Sequence, residues 1–177
     1  MQSFPSTSAD SYKALARSWA ATVTVVTARR AEQHITAGAV PLDGFTATAF
    51  LTVSINPPII VVSVTTASSG LSLLRECQGF AVNFLAPGQS DLGGAFAKPQ
   101  AERAALWQSL PFTPDADGAP LLDGTAGAFS ARVRQIVDAG DHALVLGDVT
   151  AIHLGEGHDT LVYHNRAYGR VTPLAST

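Results

Sequence analysis

The chain has 177 residues, a length that suits a single domain with a substantial buried core. Only 14% of the residues are charged, against roughly 25% in an average soluble domain, so we expect a second copy of the chain to cover part of the surface. The net charge of −3 argues against nucleic acid as a partner, and no apolar run is long enough to span a membrane.

The single cysteine, Cys77, excludes an intrachain disulfide and argues against a cysteine-based metal site, and we expect no metal site. Residues 1–9 are polar and hold no apolar signal core, so we expect a flexible arm on a cytoplasmic protein. Residues 10–172 are predicted to form one domain, followed by a flexible tail at 173–177. The signatures of dinucleotide loops, phosphate loops, zinc proteases and hydrolase nucleophile elbows are absent from the sequence.

The first predicted elements are a helix and two strands. A short amphipathic helix is expected from Asp10 or Ser11 to Trp19. Residues 21–27 are mostly β-branched and predict a strand. After a turn at 28–33, residues 34–40 are predicted to return as a second strand.

Residues 44–58 alternate with a period of two, which predicts one half-buried strand that ends at the two prolines. One face is apolar and the other is a row of hydroxyls with one aromatic ring. The apolar face comprises Phe45, Ala47, Ala49, Leu51, Val53 and Ile55, and the hydroxyl face comprises Thr46, Thr48, Phe50, Thr52, Ser54 and Asn56. Neutral donors of this kind suit a phosphate or a polar heterocycle. The alternative is a solvated threonine-rich face of an antiparallel sheet.

Residues 59–64 are nearly all apolar and predict a strand buried on both faces. The small polar loop at 65–70 follows it and leads into a helical turn at 71–76. Backbone N–H groups at such a junction are well placed for an anion. Residues 79–85 predict another strand, within which the Asn83 amide must find hydrogen-bond partners.

The rest of the chain is predicted to hold two short helices, an irregular segment and further strands. These are helices at 89–96 and 100–107, the irregular segment 111–124, long strands at 126–137 and 142–152 around a turn at 138–141, and a last strand pair at 161–171. Seven or eight strands with mostly short connections favour an antiparallel barrel over a doubly wound sheet.

Two late segments hold candidate binding residues. His142 follows Asp141 after a glycine turn, and it is either an edge histidine or an imidazole that hydrogen-bonds a ligand. Residues 163–169 bring two tyrosines, a histidine and an arginine together. They either pack a sheet edge or form, beside His142, a pocket for an aromatic anion.

Taken in this order, the segments resemble the flavin reductase family, which comprises small FMN-binding split-barrel proteins that act as reductase components of two-component flavin monooxygenases. The resemblance covers about residues 12–171. The motifs that carry it are residues 21–27, 44–50, 53–58, 80–85, 95–97, 139–142 and 163–168.

The resemblance implies a mainly β, homodimeric, six-stranded antiparallel Greek-key split barrel with a few short helices. It also implies a flavin, FMN or FAD, bound near the subunit interface. The implied flavin-binding residues are Thr46, Ala47, Thr48, Ala49, Phe50, Thr65, Thr66, Ser68, Ser69 and Asn83, with Lys98 or Arg103 as the basic residue.

The resemblance further implies that His142 contacts a nicotinamide dinucleotide, NADH or NADPH, and is the catalytic residue. Tyr163, His164, Arg166 and Tyr168 would help to close that site. The implied function is NAD(P)H:flavin oxidoreductase, with hydride transferred to the flavin and reduced flavin supplied to a separate oxygenase. The alternative is a non-catalytic flavin- or haem-binding split barrel for electron relay, storage or sensing. Arg29, Arg30 and Arg170 are candidates for the 2′-phosphate of NADPH.

Overall fold

The computed structural model describes residues 8–35, 37, 40–157 and 159–174. Within these residues the chain forms twelve strands and four short α-helices. The helices are Ala9–Ala16 (α1), Ser69–Glu76 (α2), Ser90–Phe96 (α3) and Gln100–Arg103 (α4). The strands are Ala21–Thr22 (β1), Thr24–Arg30 (β2), Leu42–Ala47 (β3), Phe50–Ile55 (β4), Pro58–Thr65 (β5), Cys77–Phe84 (β6), Phe112–Pro114 (β7), Pro120–Leu122 (β8), Gly127–Ala139 (β9), His142–Leu154 (β10), Leu161–His164 (β11) and Ala167–Arg170 (β12). No helix among them is long and apolar enough to cross a membrane.

The main sheet has seven antiparallel strands in the order β3-β2-β6-β9-β10-β5-β4. Its two outer strands, β3 and β4, are consecutive in the chain and are joined by Thr48 and Ala49 alone. On one side of this link the Thr24 hydroxyl donates to the Ala47 carbonyl over 2.7 Å. On the other side the Ser63 amide donates to the Ala49 carbonyl over 2.9 Å. The sheet therefore curls until its edges meet, which confirms the predicted antiparallel barrel.

The stretch predicted as one strand from residue 44 is two strands, so the main sheet has seven strands rather than six. β3 pairs with β2, and β4 pairs with β5 at the other edge. Period-two alternation does not reveal this break, because alternation reports which face a side chain occupies and not which neighbour the strand pairs with.

The two halves of the alternating stretch also differ in burial. Ala47 on β3 is buried, as predicted for the apolar face. Leu51, Val53 and Ile55 on β4 are 61%, 51% and 94% exposed, so the prediction that this face is buried is wrong for β4. Phe50, predicted on the hydroxyl face, instead packs with its ring centroid 5.2 Å from that of Phe84.

Other differences follow from pairing that local patterns do not show. β2 continues to Arg30 because it keeps pairing with β3 and β6 beyond Ala28, where a turn was predicted. The strand predicted at 34–40 is wrong for the described residues of that range, none of which is in a strand. The segment predicted as irregular at 111–124 contains the β7–β8 hairpin.

The predicted N-terminal helix is confirmed as α1. Its cap is Ser8 rather than Asp10 or Ser11, because the Ser8 hydroxyl accepts a hydrogen bond from the Ser11 amide over 3.2 Å. It ends at Ala16, three residues before the predicted end at Trp19. Ser8 and Ala9 of the predicted arm form the start of this helix, and residues 1–7 lie outside the described residues. Pro173 and Leu174 are in no helix or strand. Residues 175–177, the rest of the predicted tail, lie outside the described residues.

The barrel interior is a single apolar cluster that α2 closes at one end. Val26, Val62, Phe80 and Val145 from four strands are fully buried within it. Leu71, Leu73 and Leu74 of α2 are equally buried, and burial of a leucine side chain stabilises a fold by roughly 1.5–3 kcal/mol. These leucines fix the position of the helix, and with it the loop from which the helix starts.

Cys77 packs partly buried against this cluster. Burial raises the pKa of its thiol to about 12, so the group stays protonated at neutral pH. A protonated thiol is a poor nucleophile, in keeping with the packing role that the apolar surroundings of Cys77 suggest.

Candidate active site

A cavity of about 360 Å³ lies at the seam where β3 and β5 meet the start of α2. We name it the seam cavity. Its lining combines hydroxyl side chains with apolar ones and one cation, namely Phe45, Thr46, Ala47, Thr48, Ala49, Ser63, Val64, Thr65, Ser68, Ser69, Gly70, Phe96, Ala97 and Arg103. The volume falls in the usual range for small-molecule sites, roughly 300–1,000 Å³.

The start of α2 gives this cavity its anion-binding character. Ser68 caps the helix, with its hydroxyl accepting from the Leu71 amide over 3.4 Å. Ser69 and Gly70 are the first two helical residues, whose amides have no acceptor within the helix. Unpartnered amides and the helix dipole both favour a negative group such as a phosphate.

Gly70 allows α2 to start this close to the sheet. A Cβ atom at Gly70 would lie 2.7 Å from the Phe45 ring on β3, which no side chain tolerates. Any larger residue would therefore push the anion-binding turn away from the hydroxyls of β3.

Arg103 also holds the start of α2 in place. Its guanidinium makes two hydrogen bonds of 3.2 Å to the Asp43 carboxylate and one of 3.1 Å to the Ser69 hydroxyl, and it donates to the Lys98 carbonyl over 2.7 Å. Both partners of the ion pair are 5% exposed. Arg103 thus ties α4 to β3 and α2, and its three nitrogens already donate to protein acceptors.

His142 lies beside the seam cavity, opposite Thr65 in the β5–β10 register. Its Nε2 is 3.3 Å from the Thr65 hydroxyl, and its Nδ1 is 2.7 Å from the Asp141 carboxylate. The hydrogen bond from His142 lowers the pKa of the Asp141 carboxyl, which favours the carboxylate as an acceptor. In the neutral ring the proton therefore sits on Nδ1, and Nε2 is an acceptor.

The turn before His142 is built to hold this position. Gly140 has a φ of +67°, which glycine adopts without strain. The Asp141 carbonyl accepts hydrogen bonds from the Thr66 amide over 3.0 Å and the Thr66 hydroxyl over 3.1 Å. The turn and the loop before α2 are therefore one connected unit, and Thr66 serves that connection.

A second cavity of about 710 Å³ adjoins the first. We name it the α1 cavity, because α1 forms one wall and the β11–β12 hairpin another. Its lining comprises Tyr12, Lys13, Leu15, Ala16, Arg17, Trp19, Ala21, Thr48, Ala49, Tyr163, Asn165 and Arg166. Thr48 and Ala49 line both cavities, so a ligand in one lies next to a ligand in the other.

The hairpin places Arg166 at the mouth of the α1 cavity. Asn165 and Arg166 have φ values of +50° and +66°, as the two central residues of a tight hairpin turn require. The Asn165 amide also donates to the Arg17 carbonyl at the end of α1 over 2.9 Å. The hairpin and α1 are thereby joined at one end of the cavity.

Comparison with known proteins gives these two cavities a context. The family model "Flavin reductase like domain" matches residues 16–172. The chain belongs to this family. It is 35% identical to an NADH:FMN oxidoreductase of Rhodococcus qingshengii over 173 residues, which cover 94% of this chain and 83% of that protein.

Two further flavin reductases extend the comparison. The reductase component of 4-hydroxyphenylacetate 3-monooxygenase of Thermus thermophilus is 32% identical, with 90% of this chain and 93% of that protein covered. The crystal structure of BorF, the flavin reductase component of a bacterial two-component tryptophan halogenase, superposes with a TM-score of 0.81 at 27% identity. That superposition covers 94% of this chain and 100% of BorF.

The fold brings together most of the flavin-binding residues that the family resemblance implies. Those that line the seam cavity are Thr46, Ala47, Thr48, Ala49, Thr65, Ser68, Ser69 and Arg103. Phe50, Thr66, Asn83 and Lys98 do not line it. Phe50 packs its ring among Phe84 and Phe129, and Lys98 is exposed and pairs with Glu102 at 3.9 Å.

Asn83, which the resemblance implies as a flavin ligand, has a fully buried side chain whose amide is already hydrogen-bonded within the protein. It donates to the carbonyls of Val25 and Pro120 and to the Thr27 hydroxyl, and it accepts from the Leu122 amide. A polar residue in an apolar strand signals either a site or a core network, and only the packing tells them apart. Asn83 ties the β7–β8 hairpin to the main sheet.

The implied nicotinamide residues divide in a similar way. Tyr163 and Arg166 line the α1 cavity. Tyr168 packs against Tyr163 with ring centroids 5.3 Å apart, so it supports the cavity wall without lining it. His164 is exposed and lines neither cavity.

None of the site residues predicted from the sequence lies on α1, although α1 forms one wall of the second cavity. The helix was predicted only from its apolar periodicity, and its cations Lys13 and Arg17 received no role. The sequence places these cations, four residues apart, next to Tyr12 in the helix and Trp19 just after it. That combination is a signal the sequence carries, although it does not show that the helix adjoins the barrel seam.

Replacement of Arg103 tests its role in holding the α2 start. Arg103→Gln leaves the Asp43 carboxylate without its bidentate partner and frees Ser69, so we expect a loss of about 3 kcal/mol in the free energy of unfolding. We also expect weaker FMN binding. Urea denaturation and FMN fluorescence titration measure the two effects. Lys98→Gln is the matched control, and equal stability of both variants would contradict the assignment.

Proposed function

We propose that this protein is an NAD(P)H:flavin oxidoreductase that reduces FMN or FAD and supplies the reduced flavin to a separate monooxygenase. The observation that carries the proposal is the pair of adjoining cavities that share Thr48 and Ala49. Transfer of a hydride needs two planar rings held in contact, and this shared wall is where ligands of the two cavities meet.

The donors of the seam cavity fit a flavin mononucleotide unit. The amides at the α2 start and the hydroxyls of Ser68 and Ser69 would hold its phosphate. The backbone of Thr48 and Ala49 and the Thr65 hydroxyl would contact the ring system. When bound, the flavin supplies the hydride acceptor and the reduced nicotinamide supplies the hydride.

His142 and Tyr163 are the residues we assign to the nicotinamide. The Asp141 carboxylate and Thr65 hydroxyl fix the orientation of the His142 ring, whose side chain is 42% exposed. Tyr163 lines the α1 cavity, where it can pack against an aromatic ring. Hydride transfer needs no general base, so His142 acts here by binding and orientation.

Two of the relatives are the reductase components of a two-component monooxygenase and of a two-component halogenase. This supports a role for the present chain as a reductase that serves a separate oxygenase. The flavin would then be a substrate that enters and leaves, in keeping with a seam cavity lined by neutral hydroxyls and apolar side chains and by one cation that Asp43 already pairs.

We also propose that the protein is a homodimer. Five large apolar side chains are solvent-exposed on β4 and at the end of β10, namely Leu51, Val53, Ile55, Ile152 and Leu154. Exposed apolar surface on this scale is typical of an interface. β4 follows directly on Thr48 and Ala49, so a partner subunit on β4 would lie next to both cavities.

The activity is tested by measuring NADH and NADPH oxidation in air, with and without added FMN, FAD or riboflavin. We expect oxidation that depends on added flavin and saturates with it. Flavin binding without oxidation would favour the non-catalytic flavin-binding alternative. If the protein binds no flavin, the alternative holds that the hydroxyl row is a solvated face of the sheet.

A His142→Ala variant separates binding of the nicotinamide from binding of the flavin. We expect its KM for NADH or NADPH to rise about tenfold with lower turnover, because a hydrogen bond to the bound ligand is lost. The Kd for flavin is expected to stay unchanged. The control is His34→Ala, at an exposed histidine that is distant from His142 in the sequence. Unchanged steady-state kinetics in His142→Ala would refute the assignment.

The homodimer is tested by light scattering after gel filtration. We expect the protein to elute at about 37 kDa, twice the 18.4 kDa of one chain. Ile55→Glu combined with Leu154→Glu should give the monomer, because burying two unpaired carboxylates is unfavourable. Thr52→Glu, exposed on the other face of β4, is the matched control. A wild-type mass of one chain would rule out the dimer.

A further inference from the structure

We infer that the α1 cavity binds the adenosine phosphate half of the nicotinamide dinucleotide, and that Lys13 and Arg17 of α1 are the residues that recognise its phosphates. The inference rests on the proposed function and extends it, because it assigns a substrate-recognition role to a helix outside the barrel.

The charge of the cavity matches this ligand. Lys13, Arg17 and Arg166 line it, and none of its described lining residues is acidic. Among the described residues, no carboxylate lies within ion-pair distance of these three cations. Cations with no protein partner at the rim of a cavity attract a polyanion, and the diphosphate of a dinucleotide is one.

The aromatic side chains match the adenine ring. Tyr12 on α1 and Trp19 just after it both line the cavity, and they are 75% and 78% exposed. Flat apolar rings next to cations suit a purine nucleotide, since a base stacks on aromatic side chains.

The position of the cavity matches the other half of the same ligand. Thr48 and Ala49 connect it to the seam cavity, where the flavin is proposed to bind. Lys13 is close enough to Asp141 for its charge to help lower the pKa of that carboxyl. The charge of Lys13 therefore acts at the His142 turn, where the nicotinamide is proposed to bind.

α1 is attached loosely enough to move onto a ligand. None of its residues is buried, in contrast to α2, which buries three leucines. Its end is held by the hydrogen bond from the Asn165 amide to the Arg17 carbonyl. Contacts to a bound dinucleotide would supply the packing that the helix lacks in the free chain.

The first arm of the test compares two reduced nicotinamides in the flavin-dependent assay. NADH contains the adenosine phosphate half, and reduced nicotinamide mononucleotide lacks it. We expect the double variant Lys13→Gln/Arg17→Gln to raise the KM for NADH about tenfold with kcat unchanged, and to leave the KM for the mononucleotide unchanged. Arg75→Gln, at an exposed cation in the last turn of α2, should alter neither value.

Equal effects on both nicotinamides, or no effect on NADH, would overturn the inference. The second arm is a calorimetric titration of the flavin-free protein with ADP, which needs no catalysis. We expect binding that weakens about tenfold in the double variant and stays the same in Arg75→Gln. A protein that binds ADP in this way but oxidises no nicotinamide would refute the proposed function and not the α1 site. Absence of ADP binding to the wild type would refute the α1 site.

Discussion

The chain crosses from one edge of its sheet to the other through only two residues, Thr48 and Ala49. Because β3 and β4 are the outer strands of one curled sheet, this crossing closes the barrel and also leaves a gap in its wall. Backbone groups at such a crossing have fewer strand partners than groups within the sheet. Both cavities open here, so the constraint that closes the fold also creates the place where two ligands can meet.

The buried ion pair between Arg103 and Asp43 extends this constraint to the helices. It joins α4 to β3, and the hydrogen bond to Ser69 adds the start of α2. A buried guanidinium needs acceptors for its N–H donors, and here carboxylate, carbonyl and hydroxyl oxygens accept four hydrogen bonds from it. The positive charge that lines the seam cavity is therefore paired with Asp43, which leaves helix amides and hydroxyls as the donors available for the proposed phosphate.

The site is consistent with an enzyme whose substrates carry the reactive chemistry. In the proposed mechanism the protein's own residues orient rings and hold phosphates, and Cys77, with its thiol protonated, offers no nucleophile. The proposed flavin contacts come from the sheet and α2, whereas the proposed adenosine contacts come from a helix with no buried residue. Such a division would let the barrel hold the reacting rings while α1 closes on each incoming nicotinamide.

The sequence by itself determined the mainly β architecture, the hydroxyl row and the loop before α2, because alternation, β-branching and turn residues act locally. Ordered motifs along the chain were enough to indicate the family that the comparisons show. Only the tertiary structure decided that residues 44–55 form two strands, that Asn83 belongs to the core and that Arg103 pairs with Asp43. Those outcomes depend on which distant segments meet, and a local pattern of residue types holds no record of its partners.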